Sequence, residues 1–541
     1  MLPNLVDLFS LFSVMLRAGT LIFQSAVLGG VVFGLWIARA SPEVSSDSIR
    51  QIEVSTWRLL RASAGGLALM QFLYLYVNSA VLMTTAEIRF AGVIGATFFV
   101  SGCTVLMAAL LSVVCAGSRA QIATWSLPVL AVVIMGASVM TNHAASRLEG
   151  RPLLIALSCI HEMATGFWIG GLPFLVLGLY RAKDLATRWY VTERFSRVAL
   201  VSVGALVISG ASMSVVYIGS WAAVIGTAYG VMVTAKATML GSLLLLGGVN
   251  FLLIRSTSKE SSLTRLRRLI EAELGVGLTV ILTAASLTSQ PPAIDQINET
   301  VTLTQIYQRF KPTVPRLRYE YVPIAANPTS IGMLSGDVSA HNVDGIPLSP
   351  KLVNDAIESE SNHHWMGLVV VAMGLLALLG RTKKVPWATY WPLLLIGIAA
   401  FIFLQADSEC WPVGWKGFWA CWASPESFQH RIAALLCVAF GVFETRVRRQ
   451  PKENNPLALV FPLMGAVGGA LLLTHSHAIT NVKESLLVEL SHVPMGVIAV
   501  FAGWARWLEL RLQEKDRTIP SWIWPICFVI IGALLLNYRE M

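Results

Sequence analysis

Runs of about twenty apolar residues, separated by short polar stretches, recur from one end of the chain to the other. A helix of ~20 residues rises ~30 Å, the thickness of a bilayer's hydrocarbon core. The pattern predicts spans near 10–37, 58–84, 90–116, 121–143, 152–180, 196–219, 229–254, 267–288, 363–380, 387–405, 428–445, 456–476, 486–510 and 520–538. The expected fold is therefore all-α, a polytopic transmembrane bundle of about 14 helices. The longest polar interruption, 289–361, holds several prolines and an alternating stretch from Leu317 to Val322, and reads as a small, partly extended insert outside the membrane. It separates an eight-helix domain, 1–288, from a six-helix domain, 362–541. Ala38-Arg39-Ala40 resembles a leader cleavage site, but no positive charge precedes the apolar run, so the first helix is expected to be retained.

Composition narrows the class. With 55% hydrophobic and 13% charged residues over 541 positions, the chain is too apolar for a soluble enzyme. A net charge of +9 would suggest nucleic acid in a soluble protein. Here the basic residues sit in short loops, so nucleic-acid binding is set aside. Those loops also orient the bundle. Odd-numbered connections carry Arg181, Lys183, Arg188 and Arg194, then Arg255, Lys259, Arg265, Arg267 and Arg268, and later Arg381, Lys383 and Lys384. Arg446, Arg448, Arg449 and Lys452 continue the series, which ends with Arg511, Lys515 and Arg517. The richest short even-numbered connection has only Arg147 and Arg151. Positive loops stay cytoplasmic, so both termini and the insert are expected on the periplasmic side of a bacterial inner membrane.

All nine histidines avoid the predicted cytoplasmic loops. His143 ends the fourth span, and His161 lies about ten residues into the fifth. His363 and His364 open the ninth, His430 opens the eleventh, and His475 and His477 close the twelfth. His492 lies in the thirteenth and His341 in the insert. Neutral imidazole suits copper, zinc, iron and nickel, and polar residues within a membrane are costly enough to be functional by default. The metal-ligand set expected from this pattern is His143, His161, Glu162, His363, His364, His430, His475, His477 and His492. The bland alternative for each is a packing histidine bonded to a neighbouring carbonyl.

Two segments echo one another. Thr141-Asn-His143 is followed by His161-Glu162-Met163, and Thr474-His475-Ser-His477 by Glu489-Leu-Ser-His492 with Met495 beyond. The separations His143–His161 and His475–His492 are 18 and 17 positions, which reads as a parallel pseudo-repeat. His161 would lie up to ~15 Å deeper than His143, so an entry ligand and a deeper one are expected in place of one shared ion.

Trp411, Trp415, Trp419 and Trp422 recur at three- and four-residue spacing and would form an aromatic stripe if helical, at the membrane interface. Cys410 and Cys421 share that connection, either as a disulfide or, with His430, as metal ligands. Lys236 and Glu273 are ionisable residues inside apolar runs and could pair with each other or with carbonyls. No nucleotide-binding GxxxxGK[ST] loop, HExxH motif or catalytic serine elbow is visible, which argues against ATP-driven pumping by this chain and against an enzyme.

Several of these residues carry a family resemblance. Thr141-Asn-His143-Ala-Ala, His161-Glu-Met-Ala-Thr-Gly-Phe-Trp168-Ile-Gly170-Gly171, Phe195-Ser-Arg197, Ser209-Gly210 and Gly226-Thr227-Ala-Tyr229-Gly230 resemble the copper resistance protein D (CopD) signature. Lys236, Asn250, Glu273 and Pro291-Pro292 extend the likeness, which is specific from about 140 to 293 and looser before it. The resemblance implies an inner-membrane copper-homeostasis protein that moves copper from the periplasm inward beside a separate periplasmic copper carrier of the CopC type. CopD-like proteins often bear methionine-rich motifs; the 17 methionines here do not cluster.

The expected function is thus copper binding and inward passage through a lipid bilayer. One alternative is a b-type haem protein moving electrons between quinol and periplasmic copper, because histidines on neighbouring helices can supply two axial ligands. Another is a non-transporting copper store or assembly factor.

Overall fold

The computed structural model describes residues 9–39, 41–42, 44–118, 120–255, 259–318, 343–344, 348–382, 384–423, 425–449, 455–474 and 482–540. Among the described residues twelve helices are long and apolar enough to cross a membrane, and the fold is an all-α polytopic bundle. The helices are α1 (Phe9–Val32, continued by a π turn to Ile37), α2 (Ser46–Thr85), α3 (Thr97–Gly117), α4 (Gln121–Val139), α5 (Arg151–Trp168), α6 (Leu172–Arg181), α7 (Leu185–Ile218), α8 (Ala228–Arg255) and α9 (Lys259–Leu287). After a short α10 (Leu303–Phe310) come α11 (Pro350–Arg381), α12 (Leu394–Gln405), α13 (Pro425–Arg449), α14 (Val460–Leu472), α15 (Val482–Arg511) and α16 (Thr518–Leu536).

The fifth predicted span is one crossing, Arg151–Arg181, jointed between α5 and α6. The predicted spans at 428–445 and 456–476 form α13 and α14, but neither is among the twelve. Arg431 and Glu444 interrupt the apolar stretch of the first, and the second is short. Several helices start a dozen residues before their apolar run, because polar caps nucleate them outside it. Ser45 accepts from the Ser48 amide at α2, Asp184 from Thr187 at α7 and Ser349 from Leu352 at α11. Each satisfies an amide that the first helical turn leaves without a partner.

Contacts divide the chain into two units, 1–220 with 236–295, and 221–235 with 296–541. In the first, α1 packs on α2, α5 and α9. Where α1 crosses the joint between α5 and α6 the approach is backbone to backbone: a β-carbon at Gly170 would run into the Ser25 carbonyl oxygen. Any side chain there would force the helices apart, the small-residue packing that membrane helices use without a hydrophobic drive between them. In the second unit α11 packs on α16, and α15 on both α14 and α16. Its core gathers Trp391, Phe461, Trp524 and Phe528.

The same unit buries an ionic cluster. Glu444 accepts from Arg448 (2.9 Å) and Arg506 (3.1 Å), and Glu509 from Arg506 (2.7 Å), Arg381 (3.3 Å) and the Trp524 indole (2.6 Å).

From residue 296 onward the described part of the insert belongs to the second unit. Arg309 pairs with Glu484 at 2.6 Å and donates to the Glu540 carbonyl at 2.7 Å. Leu317 and Arg318 carry no strand, and Tyr319–Val322, the rest of the alternating stretch, lies outside the described residues.

Candidate functional site

The two units present different histidine surroundings. In the first, α5 aims His161 at α7, where its Nδ1 stands 3.2 Å from Ser209 Oγ. Ser209 donates its own hydroxyl proton to the Ala205 carbonyl at 2.7 Å, so it accepts from the imidazole N–H. A proton on Nδ1 would leave the lone pair on Nε2, the arrangement of a metal-ligating imidazole oriented through its other nitrogen. Gly210 makes room for the ring: a β-carbon there would stand 3.3 Å from His161 Cε1. Lys236 of α8 lies within electrostatic reach of His161 and is not paired with Glu273.

His143 opens a short helical turn after α4, with its ring edge-on to Tyr217 at 6.3 Å and backbone bonding to Leu287. Burial lowers its pKa below the ordinary 6.5, and the neighbouring Arg147 adds to the effect. Tyr217 and Ser209 are eight residues apart on α7, so the two histidines meet that helix ~12 Å apart along its axis. The two rings therefore stand at different levels along α7.

Glu162, next to His161, faces the other way. Its Oε2 accepts from Gln24 and its Oε1 from Asn142, both at 2.7 Å, while Arg17 donates to Asn142 Oδ1 at 2.9 Å. Arg17 and Gln24 escaped the reading of the sequence, although a charged and an amide side chain inside the first apolar run were signal enough.

In the second unit His363 of α11 and His492 of α15 stand with ring centres 5.8 Å apart, and Tyr538 stacks on His363 at 3.8 Å. Each histidine places Nδ1 on the carbonyl four residues earlier in its own helix, Ser359 at 2.8 Å and Val488 at 3.0 Å. His364 differs. The Arg316 amide donates to its Nδ1 at 2.8 Å and its Nε2 donates to the Tyr538 carbonyl at 3.0 Å, so both ring nitrogens are engaged by backbone. His430 pairs with Asp407 at 3.2 Å. Burial alone would push Asp407 up, but His430, Ser427 and Arg431 hold it below its ordinary value. His475, His477 and His341 lie outside the described residues.

Cys410 and Cys421 form a disulfide, Cα to Cα 5.8 Å, so their thiols are not metal ligands beside His430 in this form. The loop they close is not the helix that would make a tryptophan stripe. Residues 406–417 are turns and one isolated bridge, and only Trp419 and Trp422 fall on a short helix, Phe418–Ala423. Among the described residues no three of His, Cys, Asp and Glu come together as a metal-sized group.

Residues 189–287 match the family described as Copper resistance protein D (CopD). The chain carries a CopD-family region. That region contains α8, α9 and all but the first four residues of α7, and supplies the Ser209 and Gly210 against which His161 is set. "Copper transport protein CutJ" of Bacillus subtilis (strain 168) is 32% identical over 171 residues, 31% of each chain. The chain thus spans about a third of the length of the curated relative it matches. No solved structure matches. The fold is that of a multi-pass membrane protein, and its likeness to a copper resistance family lies within residues 189–287.

Proposed function

We propose that the protein receives copper at its histidine-bearing helix ends and passes it through the bundle toward the cytoplasm, acting as a carrier and not as a catalyst. The observation that carries this reading is His161, part-buried within the first unit and set against Ser209 and Gly210 of the CopD-family region, with its Nδ1 on the Ser209 hydroxyl. His143 is the entry position above it. In the second unit His363 and His492 are close enough to share one ion, since two imidazoles each ~2 Å from a metal bring their ring centres to ~6 Å. Pairs and single ligands suit passage, because a closed multi-ligand site would trap the ion.

The arginine distribution in the loops supports a periplasmic orientation of these helix ends. Copper would arrive free or from a separate carrier of the CopC type.

Proteoliposomes loaded with a copper chelator and presented with radioactive copper test the reading. Uptake that His161→Ala abolishes, and that His363→Ala with His492→Ala reduces, is expected. Outer-face binding without accumulation would overturn transport in favour of storage, and a Soret band in purified protein would assign the His363–His492 pair to haem.

A further inference from the structure

The first unit contains a cavity of about 250 Å³ whose position the copper path does not explain. Its floor is polar. Glu273 is 4% exposed and accepts from the Trp168 indole and the Asn250 amide, each at 2.7 Å. Asn250 is 5% exposed, and its Oδ1 is buried with no hydrogen-bond partner among the described residues. The walls are apolar and partly aromatic, with Phe195, Phe251 and Leu172. The rim includes Leu200, Leu244 and Gly248, all exposed and all on membrane-spanning helices. An opening framed in that way faces hydrocarbon, so its occupant arrives through the bilayer.

We infer that this cavity binds the head of a lipid-soluble hydroquinone. Among the lining side chains the buried polar atom left without a partner is an acceptor, Asn250 Oδ1, and beside it Glu273 keeps further lone pairs beyond the two donors it takes from the protein. A ligand that satisfies them must bring hydrogen-bond donors. The aromatic walls suit a flat ring, and the lateral mouth suits an apolar tail left in the lipid. A phenolic diol on an apolar tail meets all three requirements. A phospholipid head carries its donors as an ammonium or as aliphatic hydroxyls beside a charged phosphate and brings no flat ring to the aromatic walls. The inference concerns binding and assigns no electron transfer; it does not rest on the copper reading.

The full-length protein in lipid nanodiscs is dialysed against a decyl-tailed benzohydroquinone, its 1,4-dimethyl ether and its oxidised quinone. Neither comparator has a donor. The hydroquinone is expected to bind at least tenfold more tightly than either. Asn250→Leu should remove that preference, and Gly247→Leu should abolish binding of all three by filling the space. The latter variant is sterically mild, since a β-carbon at 247 stands 3.8 Å from Glu273 Oε1, ordinary contact. Copper occupancy should not change in either. Equal retention of the three compounds by the native protein would overturn the inference without any variant, as would a preference that survives Asn250→Leu.

Discussion

Glu162→Gln separates a ligand from a structural carboxylate beside His161. The native carboxylate accepts one hydrogen bond on each oxygen, from Gln24 and from Asn142, and Asn142 in turn takes the Arg17 guanidinium. Glutamine keeps the shape but turns one acceptor into an NH2 donor. One neighbour then keeps a neutral bond in place of a charge-assisted one, a loss of about 1 kcal/mol, and the other meets a donor and is left unsatisfied, costing about 1–3 kcal/mol. The sum is about 2–4 kcal/mol. Interhelical hydrogen bonds in membranes average nearer ~0.6 kcal/mol, because the unfolded chain also finds partners there, so the lower end, about 2 kcal/mol, is expected.

Reversible unfolding in mixed detergent and SDS micelles reads this directly. Glu162→Gln, Asn142→Leu and the double variant form a cycle in which non-additivity of about 1 kcal/mol marks the shared bond. Copper occupancy is measured on the same preparations and should match the native protein. A Glu162→Gln variant as stable as the native chain, but short of one copper, would refute the reasoning and make the carboxylate a ligand.

Gly210→Val should push the His161 ring from its seat, since even a β-carbon would lie 3.3 Å from Cε1; copper affinity should fall at least tenfold with little change in stability, as titration with a competing chelator would show. His364→Ala should leave the Arg316 amide and Tyr538 carbonyl unpaired, costing about 1–3 kcal/mol and exposing the insert to protease, with copper binding intact. His143 links stability to pH. Its folded pKa lies below the unfolded 6.5, so above that value both states are neutral and nothing is linked. As pH falls below 6.5 the unfolded chain binds the proton first and stability drops. His143→Gln should flatten the decline between pH 6.5 and 5 in an unfolding series, and an unchanged slope would show the decline to come from other groups.

The helices were legible because hydrocarbon demands long apolar runs, and no other pattern in this chain competes with them. Helix starts were less legible. The stretch 46–57 is too polar to cross a membrane, yet Ile49 and Ile52 are buried and Ser45 caps it, so α2 begins before its apolar run. The tryptophan spacing misled for a different reason. A period of three to four implies a stripe only if the backbone is helical, and in 406–417 the Cys410–Cys421 closure and Pro412 sit among turns. Histidine positions could be read from the sequence, but the tautomers could not. They depend on Ser209, Arg316 and Tyr538, which lie 48, 48 and 174 positions from the rings they touch.

The pseudo-repeat shows where sequence likeness stops short of chemical likeness. His161 and His492 occupy matching places in the two segments, yet their Nδ1 atoms are held differently, by Ser209 on a neighbouring helix and by the Ser491 hydroxyl and Val488 carbonyl of the same helix. A cross-helix anchor ties the orientation of His161 to the packing of α5 on α7, whereas the anchor of His492 travels with its own helix. The neighbours also differ in sign of effect on a cation. Lys236 opposes a positive ion at His161 when protonated, while His363 offers the ion beside His492 a second nitrogen. A cation would therefore reside longer in the second unit, and the position at His161, oriented but electrostatically discouraged, has the character of a transfer point from which an ion can leave.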